Sequence, residues 1–570
     1  MAQQHQTAQQ PFNFLGMLIE KFLDPNDLIA KYRSVKTQRN PWEVRWQMIQ
    51  DQTFPDYRDY QNPGATASME PKSNKIKSHS SSISGKINKV VSLLSAQLSD
   101  PASKWLHLRF SDEKLNEVKA ASDWLSDCTE ALYNLFSDPT SNFYPSTFSF
   151  HLDWYSLGTS CREIILRQDT GRIQFNTISM QNIYVDISGY GDIDTTYRAF
   201  SVTPKQAFDL WGERIGPTQM RLLKMAPTAA TPSSFEYVEI TMPNPLKKIL
   251  PTLDYISCVV NVSDKTIVDY ALHHHSPYVV SRFFVAPGET YGRSYVWYSM
   301  PDIAAINRLS KRVLQGIDFA TMPVNLVQNA SSIVQAQITP GAFIQGLDSH
   351  GNPMIQPMAL GSGNVPMAMD FYTRKLADLD ESLVATEVIP PENPNMTATE
   401  INERKIQASN RMRPLLVRLE TEDLGKTILR TMSLMQMNGT LPEFPYEELG
   451  IDPMLMMNPL AQLRVTFSGQ LAKMQKMQEV VNNDMIFQKA LQAAQVNPEV
   501  LDRIKLDQLI VKDAEIFDVS PEVMATDEEV QVVRDERRAQ QQQMIEDQRM
   551  NQAMETAAKM KGAGLDGSNL

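Results

Sequence analysis

The chain has 570 residues and a mass of 64.5 kDa, too long for one ordinary core when domains run to about 100–200 residues each. Apolar residues make up 42% of it, so most of the chain can bury a core. Lys plus Arg number 54 against 66 Asp plus Glu, a formal charge of −12, which argues against a protein built to clamp nucleic acid, because tight phosphate binding needs a net cationic surface.

In chain order, residues 1–24 read as a Gln-rich tip followed by a short apolar helix from Phe14 to Phe22. Residues 25–53 read as a helix carrying Trp42, Val44, Trp46 and Ile49, with Pro41 as its expected break. Residues 55–80 are rich in Pro, Gly, Ser and Asn and have no periodicity, which predicts a loop or a segment that orders on assembly. From Ser82 a stripe of Ile83, Ile87, Val90, Val91, Leu94 and Leu98 recurs at spacings of three and four and ends at Asp100-Pro101, predicting an amphipathic helix. A strand at 106–110 (LHLRF) precedes a second helical pattern over 112–137 and a third over 143–157, stopped by Gly158.

The period then changes to two. Residues 161–167 and 172–178 flank Asp169-Thr170-Gly171 and predict a hairpin. Further strands are expected at 183–187, 195–201, 235–242, 254–262, 266–271 and 278–284. Thr203 with Gln206, and Pro204 between them, form a capping box that opens a helix over 204–213, and a small helix follows at 218–225. Residues 100–290 are thus expected to form an α+β block with mostly antiparallel strands.

After 290 helices dominate. One spans 301–321, striped by Ile303, Ile306, Leu309, Val313, Leu314 and Ile317. Short strands at 324–328, 333–337 and 342–345 lie among Gly and Pro, and a second helix over 367–385 carries Met369, Tyr372, Leu376, Leu379 and Leu383. The run Ile389 to Asn395 contains three prolines and cannot be helical. Thr397 and Glu400 form a capping box that opens a very long helix, closed near Asn438-Gly439. Residues 440–468 read as Pro-rich and partly extended; helices resume at 469–495, 498–512 and 521–556, and the end of the chain reads as disordered.

Little in this pattern carries chemistry. Three cysteines (Cys128, Cys161, Cys258) are too few and too far apart for a disulfide framework or a zinc site, which predicts a reducing compartment. The N-terminus has no secretory pattern, and no run of about 18 apolar residues predicts a membrane span. His273-His274-His275 is the one metal candidate, but adjacent strand residues point to opposite faces, so a polar strand end is the better reading. Gly361-Ser362-Gly363 and Gly189-Tyr190-Gly191 complete no phosphate-loop motif and read as turns. The 30 methionines, clustered at 432–437 and 454–457, read as flexible filling of helix contacts. No catalytic constellation emerges, and no cofactor is expected. The architecture is the signal that remains. Two helices of similar length bracket a small β module, like a stalk, and a stalk with Leu and Ile stripes must pack against copies of itself or a partner.

Several stretches, in collinear order over roughly 80–440, resemble the portal, or head-to-tail connecting, proteins of short-tailed double-stranded DNA bacteriophages. They are 92–98 (SLLSAQL) with Pro101 and Trp105 to Leu108; Trp124-Leu125; Ser141 to Phe143; Leu157 to Thr159; Tyr184 to Asp186; and Tyr197 to Phe200. Tyr291-Gly292-Arg293-Ser294 with Met300 to Asp302 and Asn307 is similar to the family's central signature, and Thr397 to Glu400 with Glu403-Arg404 and Pro414 to Leu419 to the opening of its long helix.

The resemblance implies a mainly helical α+β subunit of a ring, usually of twelve copies, at one capsid vertex. Such a ring would be the channel for DNA packaging and ejection, and the docking platform for motor and tail. By position, 1–24 would be an N-terminal tip, 25–298 the wing, 299–322 and 367–385 the stem helices, 323–366 the clip, 386–397 the tunnel loop, 398–468 the long wing helix and return, 469–556 a helical crown or barrel, and 557–570 a disordered tail. Candidates for transient DNA contact are then Arg308, Lys311, Arg312, Arg374 and Lys375 on the stem and Ile389, Pro390, Pro391, Asn393 and Asn395 in the loop. An intersubunit salt-bridged or solvated helix face is the competing reading for each stem cation. Candidates for docking the tail and motor are Val324, Asn325, Gln328, Gln335, Gln337, Phe343 and Gln345. The implied partners are further copies of the chain, tail adaptor or nozzle proteins, the terminase large subunit that supplies the ATPase, capsid and scaffolding or internal core proteins, and the double-stranded DNA itself. The implied location is the virion, after assembly in the host cytoplasm, with no membrane partner. A helical scaffold or tail component that oligomerises without conducting DNA is the alternative.

Overall fold

The structure, a computed structural model, describes residues 22–54, 80–225 except 117 and 168, 234–322 except 248 and 252, 324–327, 343–345, 356–358, 365–383, 413–449, 459–467, 480, 483–493, 508–510, 514 and 527–562. The chain falls into two compact units, Met1–Leu471 and Ala472–Leu570.

In the first unit, α1 (Pro25–Thr53) is capped by the Asp24 carboxylate, which accepts from the Asn26 N–H at 2.9 Å. The expected break at Pro41 is absent: the helix runs through it. Proline removes one helical N–H, but the turns on either side are held by tertiary contacts. Arg39 donates to the carbonyls of Met180, Gln181 and Ile183, and Trp46 donates to the Leu157 carbonyl at 3.1 Å. Helix α2 (Ser81–Leu98) buries all six residues of its predicted stripe. Each contributes about 1.5–3 kcal/mol of gross transfer energy.

Strand β1 (Leu106–Phe110) is followed by a short α3 (Glu113–Asn116) and by α4 (Lys119–Ser137), so the single helix expected over 112–137 is interrupted. The Asn116 amide causes the interruption by folding back onto β1, accepting from the Phe110 N–H at 2.8 Å and donating to its carbonyl at 3.0 Å. Helix α5 (Phe143–Leu157) then leads through Gly158 into β2 (Thr159–Arg167) and β3 (Arg172–Ile178). Gly171 in the connecting turn takes φ +64°, as a tight hairpin requires.

Strands β4 (Ile183–Ile187), β5 (Ile193–Val202), β6 (Phe235–Pro243), β7 (Tyr255–Asn261) and β8 (Thr266–His273) form a five-stranded antiparallel meander. Its register places Tyr197 opposite Ile240, and Ile240 opposite Cys258. Between β5 and β6, α6 (Pro204–Trp211) carries the predicted capping box, and α7 (Pro217–Met225) follows. One face of the sheet buries Val238, Ile240 and Val260 with Leu28, Ile29 and Tyr32 of α1; the other buries Tyr237, Val259 and Val268 with Ala207 of α6. Strand β9 (Tyr278–Arg282) pairs with β2 to complete a three-stranded sheet in the order β3-β2-β9.

After a one-turn α8 (Tyr295–Tyr298) comes α9 (Met300–Thr321). Strands β10 (Val324–Val327), β11 (Phe343–Gln345) and β12 (Gln356–Met358) form a small sheet in which β10 runs parallel to β11 and antiparallel to β12. Strand β12 has no counterpart in the sequence pattern, and the strand expected at 333–337 lies outside the described residues. Helix α10 (Val365–Ser382) returns along α9.

The long helix expected to start at Thr397 is described from residue 413 and is not regular. Residues 420–424 form a π-helical turn, Glu420–Leu424, before α11 (Gly425–Met437). The return segment contains α12 (Tyr446–Leu449) and β13 (Leu463–Phe467). The latter pairs antiparallel with β1, Leu106 opposite Phe467.

Two large cores result. One joins α1, α2, α5, α9 and α10 to the residues from 415 to 419; the other joins β1, α4 and α11 to the second face of the β3-β2-β9 sheet. In the second unit, the residues described before Asp527 are helical, and α13 (Asp527–Gly562) is a helix of 36 residues with Val532, Val533, Met544 and Ile545 exposed. The helix passes the expected end at 556 by six residues, so the disordered tail expected from 557 does not begin there; residues 563–570 lie outside the described part.

Candidate functional site

Helices α9 and α10 are rooted in the first core. Met300, Ile303 and Ile306 of α9 and Leu379 and Leu383 of the α10 end are fully or nearly fully buried there. Polar contacts fix the root. Ser299 Oγ donates to Ser382 Oγ at 3.0 Å, and Asn307 Nδ2 donates to the Gln52 carbonyl at 3.1 Å and to Gln52 Oε1 at 2.8 Å. Tyr155 Oη donates to the Leu383 carbonyl, Lys86 pairs with Asp380, and the Ser80 and Tyr372 hydroxyls lie 3.0 Å apart.

Beyond this root the single chain leaves apolar groups in water. Leu314 is 54% and Ile317 39% exposed on α9; Met367 is 77% and Phe371 50% exposed on α10. Of the predicted stripe, Ile303 and Ile306 are buried, Leu309 and Val313 are half-buried, and Leu314 and Ile317 are exposed. Two helices side by side bury only the facing stripe of each, so these flanks have no cover within the pair.

The cations of α9 and α10 divide into two sets. Lys375 Nζ lies 3.2 Å from Asp302 and 3.1 Å from Asp378. These carboxylates raise its ammonium above the usual lysine range, Asp378 first by hydrogen bonding. Arg374 forms an exposed pair with Asp370 at 2.8 Å. Arg308, Lys311 and Arg312 are exposed on α9, with Arg308 Nε donating to the Ala304 carbonyl of its own helix at 3.4 Å. Ile389, Pro390, Pro391, Asn393 and Asn395 lie outside the described residues, as do Gln328, Gln335 and Gln337. Val324, Asn325, Phe343 and Gln345 lie on β10 and β11, with Asn325 opposite Phe343.

The π turn is the feature that the sequence pattern did not reveal. Its Gly425 N–H bonds back to the Glu420 carbonyl, one residue further than in an α-helix. The turn presents two adjacent acids to two arginines on neighbouring strands. Asp423 Oδ2 lies 3.3 Å from Arg162 Nη2 of β2, both side chains being fully buried, and Thr427 Oγ1 donates to Asp423 Oδ1 at 3.2 Å. Glu422 accepts from the Arg282 guanidinium of β9 at 2.9 Å and from the Arg282 backbone N–H at 2.7 Å. Burial raises the Asp423 carboxyl above its usual range, and Arg162 opposes that rise. The available signal was a cation inside each apolar strand, Arg162 in 161–167 and Arg282 in 278–282.

His273, the last residue of β8, and His274 and His275 after it are half-buried. Burial, then Arg430, holds His275 below the usual histidine range. Among the described residues no group of three or more His, Cys, Asp or Glu is placed to hold a metal ion. No described helix is long and apolar enough to cross a membrane.

The described residues form a mainly helical α+β fold with antiparallel sheets, the fold class that the resemblance implied. A profile of the bacteriophage head to tail connecting proteins matches residues 26–525, and the chain belongs to that family. At the level of single relatives, it is 22% identical over 548 residues to a "Probable portal protein" of Bordetella phage BPP-1, covering 94% of each chain. It is 23% identical over 556 residues to the "Portal protein" of Salmonella phage epsilon15, covering 93% of this chain and 94% of the relative.

Proposed function

We propose that this chain is the subunit of a portal ring at one capsid vertex, the channel through which double-stranded DNA is packaged and ejected and the platform for motor and tail. Membership of the connector family and the length of the match to two portal proteins support the reading. The observation that carries it is the stem: an isolated chain leaves Leu314, Ile317, Met367 and Phe371 in water, and a ring covers such flanks with neighbouring copies. The subdivision follows. Residues 25–298 with 398–468 are the wing, α9 and α10 the stem, 323–366 the clip, 386–397 the tunnel loop and 469–556 the crown. Twelve copies close the ring. The clip meets tail adaptor proteins and, transiently, the terminase; capsid and scaffolding or internal core proteins surround the wing.

The net charge of −12 fits a conduit. DNA must slide, and a lining without a strong cationic grip keeps the duplex mobile. The proline-stiffened segment from Ile389 to Asn395 presses on the duplex and resists back-slip. Electron microscopy and mass measurement of the purified chain test the reading. A ring of about twelve times 64.5 kDa with an axial hole is expected, and a chain that stays monomeric or dimeric under all conditions overturns it.

A further inference from the structure

The stem carries two charged stripes of opposite sign, both exposed in the single chain. On α9, Arg308, Lys311 and Arg312 are exposed at spacings of three and four, with Asp318 the one exposed acid near them. On α10, Asp370, Arg374, Asp378 and Glu381 recur at spacings of four, four and three, and all are exposed. The net formal charges are +2 and −2. The facing sides are occupied otherwise: Asp302 of α9 holds Lys375 of α10, while Leu376 and Leu379 pack inward. Within one chain the ion pair between the two helices is made by Lys375 and Asp302, and the two stripes stay exposed to solvent.

We infer that the basic stripe of α9 docks on the acidic stripe of α10 of the next copy. The contact is heterologous, one surface meeting a different surface on the neighbour, and repeats until the ring closes. It places the exposed apolar flank residues beside a neighbouring stem. Contact with DNA phosphates explains the cations alone: Asp370 and Asp378 each hold one cation of their own helix, and the net negative charge left on the α10 stripe would repel phosphates. A neighbouring copy uses both stripes. Arg308, Lys311 and Arg312 are thereby reassigned from the channel to the subunit interface. The inference rests on the ring reading above and specifies how that ring is held.

The test uses two full-length variants. Arg308→Glu with Arg312→Glu turns the α9 stripe from +2 to −2. Asp370→Arg with Glu381→Arg turns the α10 stripe from −2 to +2 and leaves both partners of Lys375 in place. Light scattering after size exclusion reads the ring. The wild-type chain assembles, each variant alone loses the ring peak, and an equimolar mixture regains it, because alternating copies restore opposite charges at every interface. Recovery in the mixture also shows that both variants fold. Ring formation by either variant alone, or a mixture that stays unassembled, overturns the inference. Rings of the α9 variant that assemble alone but take up less DNA assign the cations to phosphate instead and also overturn it. A wild-type chain that forms no ring overturns the portal reading itself.

Discussion

Gly158 and Gly292 meet backbone to backbone where α5 turns into β2. Gly158 takes φ +90°, and a Cβ added there would lie 2.5 Å from the Gly292 carbonyl oxygen. A Cβ on Gly292 would press on the Gly158 carbonyl and lie 2.7 Å from Phe283 N. Around this contact the Gly292 N–H donates to Thr159 Oγ1 at 2.9 Å, the Phe283 N–H to the Gly158 carbonyl at 2.8 Å, and Ser294 Oγ to the Ser156 carbonyl at 2.8 Å. The segment from Tyr291 to Ser294 thus bolts the root of the stem to the body. Gly292→Ala is expected to cost about 1–3 kcal/mol through overpacking against backbone that cannot yield. The readout is a lower thermal midpoint; an unchanged midpoint would show that the corner can open.

The fully buried Arg162–Asp423 pair makes a different prediction. Removing one partner strands the other charge in the interior, so Asp423→Leu alone should destabilise by about 3–5 kcal/mol. Combining it with Arg162→Met removes both charges and should recover most of that loss. Thermal melts of the two variants decide: equal loss in the single and the double variant would mean that packing at the π turn matters and charge does not.

His151 gives the fold a pH dependence. Its ring is fully buried, with Nδ1 2.8 Å from Ser95 Oγ, and burial, then the nearby Arg162, pushes its pKa down to about 3. The unfolded chain protonates this group near its ordinary value of about 6.5, so between these two values the unfolded state binds more protons and stability falls as pH falls. At about pH 5 the penalty is about 2 kcal/mol, and it vanishes above about pH 7. Replacing His151 with Gln shifts stability by a constant and removes this component of the slope. Thermal midpoints of both chains between about pH 5 and pH 7 measure it, and parallel curves would show that His151 does not titrate on unfolding.

Cys128, Cys161 and Cys258 are free and buried. Desolvation by burial raises all three thiols, Cys128 and Cys258 to about 12. Thiolate is the reacting form, so the native chain should resist a maleimide, and denaturation should release all three sites. Fast labelling of the native chain would place at least one thiol at the surface.

The parts of this fold that periodicity decides were legible in the sequence. The stripe from Ile83 to Leu98 is buried as a helix face, and the alternation in 161–178 became the β2–β3 hairpin. What was hidden depends on partners far away in the chain. Strand β13 exists because Leu463 to Phe467 completes the ladder of β1, more than 350 residues earlier, and no local pattern encodes that pairing. Pro41 is tolerated because Arg39 and Trp46 hold the turns around it from outside the helix. The π turn shifts the helix by one residue so that Glu422 and Asp423 reach Arg282 and Arg162, a requirement of two strands that the helix sequence does not display. On the stem, residue type located the apolar stripe, but burial of its near half and exposure of its far half depend on where the body ends. The cations Arg374 and Lys375 were legible as charges, but not their pairing with Asp370 and Asp302.

That division of the stem sets the last prediction. Val313 and Leu376 are half-buried on the inner stripes of α9 and α10, above the root formed by Ile303, Ile306 and Leu379. A carboxylate at either half-buried position would be partly desolvated between two helices, which costs roughly 1–3 kcal/mol. The root below is held independently by the Ser299–Ser382 and Asn307–Gln52 hydrogen bonds. Val313→Asp or Leu376→Asp should therefore splay the distal stem and leave the body folded. Proteolysis should then cut within residues 308–375, with the main thermal transition within a few degrees of wild type. A protected stem in both variants would mean that these inner stripes do not pack against each other, and a collapse of the main transition would mean that stem and body fold as one unit.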